Sequence, residues 1–236
     1  MQICGLCPAY GRIKMYVENK TKKLTLMAMF AALAYVLMLV GRIPISPMSF
    51  LKYDPKDLIL AVSGFVLGPI PALLISTVVC LIEMVTVSDT GFIGFFMNLL
   101  ASACFACPAA FFYKRKHSIR GGILGLTIGV VLMTVAMLLW NYFLTPLYMG
   151  WPREEIAAML VPIFLPFNLI KGCINAALTV LVYKPVSKAL KRSGLAASRP
   201  SPLAATAKKR FVGVYIAAAV VLISCVFAVL VWMGII

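Results

Sequence analysis

Apolar runs close to the length needed to cross a lipid bilayer recur along this 236-residue chain, and no other feature limits its fold as strongly. Inside hydrocarbon each backbone N–H and C=O must be satisfied within the segment, so runs of roughly 20 apolar residues become spanning helices. Hydrophobic residues make up 63% of the chain and charged residues 12%, against roughly 45–50% and 25% in a soluble domain. A water-soluble fold would have to bury nearly every long run in one core. The sequence therefore predicts an all-α polytopic membrane protein of six or seven spans.

The net charge of +15 raises the question of nucleic acid, and the placement of the basic residues answers it. Arg12, Lys14, Lys20, Lys22 and Lys23 precede the first run. Lys114, Arg115, Lys116 and Arg120 separate two others, Lys184, Lys188, Lys191 and Arg192 follow the sixth, and Lys208, Lys209 and Arg210 precede the last. Set on one side of a membrane, these clusters satisfy the positive-inside rule and leave Arg42, Lys52, Lys56 and Arg153 opposite. The charge reports topology: a multi-pass protein of the plasma membrane with a cytoplasmic N-terminus and no nucleic-acid partner. Residues 1–21 lack the apolar core of a signal peptide and read as a cytoplasmic leader.

The expected spans are Leu24–Gly41, a short Lys56–Gly68, Ala72–Val87, Phe92–Tyr113, Gly121–Phe143 and Met159–Tyr183. Arg42–Pro55 cannot be regular helix, because Pro44, Pro47 and Pro55 interrupt it. A second outer loop is expected over Leu144–Ala158. Residues 193–210 read as a linker, and 211–236 as a seventh span. The seven cysteines lie mostly in apolar segments, where a thiol acts as a small hydrophobe. Two CxxC pairs, Cys4/Cys7 and Cys104/Cys107, would have to meet across leader and mid-span to hold a metal, and none is expected.

Ionisable residues within spans are costly and point to function. Lys171 stands midway along the sixth span, with Asn168 and Asn175 at helical offsets that put all three on one face. One reading makes this face structural, with Lys171 paired to a buried carboxylate such as Glu83; the other turns Asn168 and Lys171 toward a ligand rich in carbonyl or ring-nitrogen acceptors. Glu83, Asn98 and Asn141 sit toward the same outer side and outline a polar cavity. Trp140, Tyr142, Tyr148 and Trp151 fit an interfacial aromatic belt. The sequence has one histidine, His117, in a basic turn, and no nucleotide-binding motif, so no catalytic constellation is in view.

At FLKYDPKD (50–57), LIEMVTVSDTGFIGFFMN (81–98), NYFLTPLYMGWPRE (141–154) and LPFNLIKGCINA (165–176), the chain resembles the riboflavin-specific substrate-binding subunits, or S components, of energy-coupling factor (ECF) transporters. The likeness spans roughly residues 22–192. It implies a six-helix bundle holding one riboflavin near the outer face, with polar contacts from Asn141, Asn168 and Lys171 and with Phe50, Leu51, Lys52, Tyr53 and Asp54 closing over it. It also implies a membrane coupling subunit approached through Ala28 and Ala32, two cytoplasmic ATPases that supply the energy, and no cofactor of its own. The alternatives are an S component for another flavin or vitamin and, further off, a membrane enzyme or assembly protein. The linker and seventh span lie outside the resemblance.

Overall fold

The computed structural model describes residues 15–16, 19–44, 51–88, 90–116, 119–193, 197–198 and 204–233. Phe50, Cys4, Cys7 and His117 lie outside the described residues. The helices are α1 (Lys20–Gly41), α2 (Lys56–Leu67), α3 (Pro69–Thr86), α4 (Gly91–Lys116), α5 (Ile119–Met149), α6 (Arg153–Met159), α7 (Leu165–Arg192) and α8 (Ala204–Trp232). A single π turn, Leu160–Phe164, joins α6 to α7 in one continuous rod. Two short ribbons complete the fold: β1 (Met15–Tyr16) pairs with β4 (Ala197–Ser198), and β2 (Ile43–Pro44) with β3 (Lys52–Tyr53), both antiparallel.

Among the described residues, six stretches are long and apolar enough to cross a membrane: α1, α3, α4, α5, the α6–α7 rod and α8. The expected second span behaves differently. With 12 residues, α2 is about 18 Å long at 1.5 Å per residue, well short of a hydrocarbon core of about 30 Å. Every residue from Lys56 to Val66 is buried, because α1, α3, α4 and α7 surround it. It is the axis of the bundle. Tyr53 and Asp54, in the non-helical segment that leads into α2, are likewise buried in protein, as irregular backbone near a membrane must be.

Two expectations are corrected. The fifth helix continues to Met149, and the loop placed over Leu144–Ala158 shrinks to Gly150–Pro152. Pro146 removes one backbone donor, a loss the surrounding helix absorbs. The helix stops at Gly150, whose φ of 69° suits glycine and whose N–H reaches Pro146 O at 3.1 Å. Immediately after, Glu154 and Glu155 fall in the first turn of α6, where acidic side chains favour a helix start. The sixth helix is also longer than Met159–Tyr183, and around Pro162 and Pro166 it passes through the π turn, with Leu165 N–H donating to Leu160 O.

Packing between α4 and α5 is closest at Gly125 and Gly129, where backbone meets backbone. A Cβ on Gly129 would sit 2.5 Å from Phe105 O. Gly129→Ala should therefore lower thermal stability, by about 1–3 kcal/mol if strain alone acts. Gly213→Ala, at a position with nothing within 4 Å of a new Cβ, should leave the unfolding midpoint in detergent unchanged.

Candidate functional site

A cavity of about 160 Å³ opens at the end of the bundle where α1, α3 and α5 finish, opposite the basic turns. Arg42, Leu51, Lys52 and Asp54 form one wall, Asn98 of α4 another, and Met137, Asn141 and Tyr148 of α5 a third. Phe167, Asn168 and Lys171 of α7 close it. Of the residues singled out from sequence, Asn141, Asn168, Lys171, Leu51, Lys52 and Asp54 thus meet in one place.

Each amide is fixed by its own helix. Asn168 Nδ2 donates to Phe164 O at 2.8 Å, in the π turn. Asn141 Nδ2 donates to Met137 O at 2.7 Å, and Thr145 Oγ1 donates to Asn141 Oδ1 at 2.9 Å. An amide nitrogen carries two donors, so each side chain keeps one N–H for the cavity. Both asparagines are buried, so their rotamers are set before any ligand arrives.

Tyr53 is not among the residues lining the cavity. Its hydroxyl donates to Asn175 Oδ1 at 2.7 Å, and Asn175 Nδ2 reaches Asp54 O at 3.4 Å. Burial pushes the Tyr53 hydroxyl above its ordinary pKa, with Asp57 and Asp54 adding to the effect, so it stays a neutral donor. Asn168 and Lys171 therefore face the cavity while Asn175, one turn further along α7, clamps the segment that forms the cavity wall.

Beneath the cavity runs a chain of buried charges centred on Lys56. Its ammonium pairs with Asp54 Oδ2 at 2.8 Å and with Glu83 Oε2. Glu83 Oε1 accepts a hydrogen bond from Asn98 Nδ2 at 3.0 Å and lies 3.5 Å from Arg42 Nη2. Asp57 accepts from Ser102 Oγ at 2.5 Å through Oδ1, and its Oδ2 lies 3.8 Å from Lys171 Nζ. Burial acts to raise the Asp54 carboxyl, but Lys56 and Lys171 outweigh it and hold that group below the usual carboxylate range.

The carboxylate beside Lys171 is thus Asp57, not Glu83. The first turn of α2 stands between α3 and α7 and takes both partnerships. At 3.8 Å the Lys171–Asp57 contact is longer than a hydrogen bond, which leaves the ammonium donors available to the cavity. Lys56 and Asp57 went unremarked as site residues in the sequence; their signal is a pair of adjacent ionisable residues opening a segment too short to span.

The arrangement offers amides that donate and accept, one cationic donor and an apolar flank of Met97, Met137 and Phe167. Chemically the arrangement suits a solute that is part polar and part flat and apolar.

Comparison with known proteins agrees in family and fold. The family model for the substrate-specific component of ECF transporters matches residues 22–183. The chain belongs to this family. It is 33% identical over 190 residues to "Riboflavin transporter RibU" of Staphylococcus aureus (strain TCH60), covering 77% of this chain and 98% of that one. It is 28% identical over 174 residues to "Riboflavin transporter FmnP" of Bacillus subtilis (strain 168), covering 70% and 91%. A solved structure described as the S component of a bacterial ECF transporter superposes with a TM-score of 0.62 at 31% identity, covering 73% of this chain and 99% of that one. The chain is accordingly a membrane transport subunit, an ECF S component. The family match ends at residue 183, before α8.

Breaking the charge chain beneath this S component's site should be costly. Lys56→Ala strands Asp54 and Glu83 in a buried setting, and removing one partner of a buried pair typically costs about 3–5 kcal/mol. Thermal unfolding in detergent reads the loss; Lys56→Met combined with Glu83→Gln should recover part of it.

Proposed function

We propose that this S component binds riboflavin in the cavity bounded by Asn141, Asn168 and Lys171, and delivers it inward when paired with a membrane coupling subunit and two cytoplasmic ATPases. The observation that carries the reading is the convergence of three polar side chains from α5 and α7 with the Leu51–Asp54 segment on one cavity, in a chain whose relatives are named riboflavin transporters over nearly their whole length. The isoalloxazine ring offers carbonyl and ring-nitrogen acceptors to the free N–H groups, while its flat apolar part lies against Met97, Met137 and Phe167.

The cavity of about 160 Å³ is smaller than the roughly 300–1,000 Å³ of sites that enclose drug-sized ligands. The outer rim must then yield to admit a flavin. The Leu51–Asp54 segment is the part of the wall with the least regular structure, and it acts as the gate. Basic turns at the opposite end set the membrane orientation, with the cavity facing outward and the N-terminus in the cytoplasm.

Partner docking falls to α1. Leu26, Phe30, Ala34 and Met38 turn into the bundle, and Ala28 and Ala32 lie on the exposed side. Small residues four apart let a second helix approach closely, and this stripe is the proposed contact with the coupling subunit.

Purified protein titrated with riboflavin should quench flavin fluorescence at about one flavin per chain. Lys171→Ala and Asn168→Ala should each weaken binding about 5- to 150-fold, the equivalent of roughly 1–3 kcal/mol for a stranded polar partner. No quenching, together with saturable binding of a different vitamin, would overturn the choice of ligand.

Ala28→Leu combined with Ala32→Leu should separate capture from transport. Affinity in the purified double variant should be unchanged, while ATP-dependent uptake into vesicles carrying the coupling subunit and ATPases should fall to background. Normal uptake would remove the docking role from α1.

A further inference from the structure

Of the nine described positions on α8 that are at least partly shielded, six, Tyr215, Ala218, Leu222, Cys225, Val229 and Trp232, follow a spacing of three and four along one stripe. That is the spacing of a helix that packs along one partner through a single seam. Most of the other described positions of α8 are exposed, with Ile216, Val220, Ile223 and Phe227 all well over a third accessible. The contacts follow α7 along its length. Near the base Lys184 Nζ lies 5.2 Å from the Tyr215 ring centroid, midway Cys225 meets Cys173, and β4, just before α8, pairs with β1.

At the far end, Val229 and Trp232 pack into the cluster formed by Tyr53 and Phe167, together with Leu51, Ile170 and Ile174. Leu51 and Phe167 are themselves lining residues of the cavity. The tip of α8 is therefore one side chain away from the ligand space. Offsets along α7 explain how this comes about: Phe167, Ile170 and Ile174 form one helical face, and Asn168, Lys171 and Asn175 form the face next to it. The polar face makes the site, and the apolar face receives α8.

We propose that α8 is an intramolecular strap that holds the Leu51–Asp54 segment and the outer half of α7 in place, with Val229 and Trp232 as positioning residues that set how readily the cavity opens. The segment is held from two directions, by Asn175 through hydrogen bonds and by α8 through apolar contact. Loss of the second hold leaves the first to act alone. The consequence for a bound solute rests on the proposed riboflavin site; the consequence for the wall itself does not.

The test uses the full chain with Trp232→Ala and Val229→Ala, Trp232→Phe as the conservative replacement, and Ile223→Ala on the exposed face as control. In ligand-free protein, hydrogen–deuterium exchange at residues 51–54 should be several-fold faster in Trp232→Ala and Val229→Ala, near normal in Trp232→Phe and unchanged in Ile223→Ala. With riboflavin bound, dissociation followed by recovery of flavin fluorescence should accelerate in the same order. Exchange at 51–54 that is the same in Trp232→Ala as in the parent overturns the strap, and so does faster exchange with an unchanged dissociation rate. If the parent binds no riboflavin, the ligand assignment fails, and the exchange comparison alone decides the role of α8.

Discussion

The ammonium of Lys56 holds together parts of the chain that would otherwise have no reason to meet. It sits in the first turn of a fully buried helix and pairs with Asp54 in the preceding segment and Glu83 on α3. Taking a charge this far from water is affordable only when opposite charges and hydrogen bonds surround it. Asn98 and Arg42 add to the shell around Glu83, while Asp57 accepts from Ser102 and has Lys171 as a more distant counter-charge. The result fixes the start of α2, and with it the floor of the cavity and the positions of Arg42 and Asp54 beside it.

From that floor, α7 organises the rest. Its entry through a π turn supplies Phe164 O to Asn168, so the backbone irregularity caused by the two prolines becomes an anchor for a binding side chain. Below this point one polar face of the helix meets two partners in succession along its length. Its outer part presents an amide and a cation to the cavity; one turn further in, Asn175 is engaged by Tyr53 and Asp54.

Much of this was legible in the sequence, for reasons that can be traced to particular residues. The spans followed from run length, and the 168/171 face followed from helical offsets around a lysine that has no place in lipid. Asn141 followed from its place near the outer end of the fifth span, while the role of the Leu51–Asp54 segment came from the family resemblance, and both share a cavity with that face. Three things were not readable. The fifth span is expected to end at Phe143, yet α5 continues through Pro146 to Met149, because one missing donor does not end a helix. Lys56 and Asp57 looked like the rim of a span, because nothing in a linear sequence shows that α2 is enclosed on all sides. The seam on α8 was hidden because its Ala, Leu, Cys and Val are as apolar as the lipid-facing residues between them; only packing tells the two sets apart.

The brevity of α2 has a consequence for passive permeability. Below Asp57 its side chains run Leu58, Ile59, Leu60, Ala61 and Val62, all buried against neighbouring helices, and Phe65 is stacked with Tyr113 and Tyr183 near the opposite end. Ser63 is the one polar side chain in α2 below this run, and its hydroxyl donates to Leu60 O. An apolar axis of this kind opposes the passage of ions and polar solutes through the centre of the bundle.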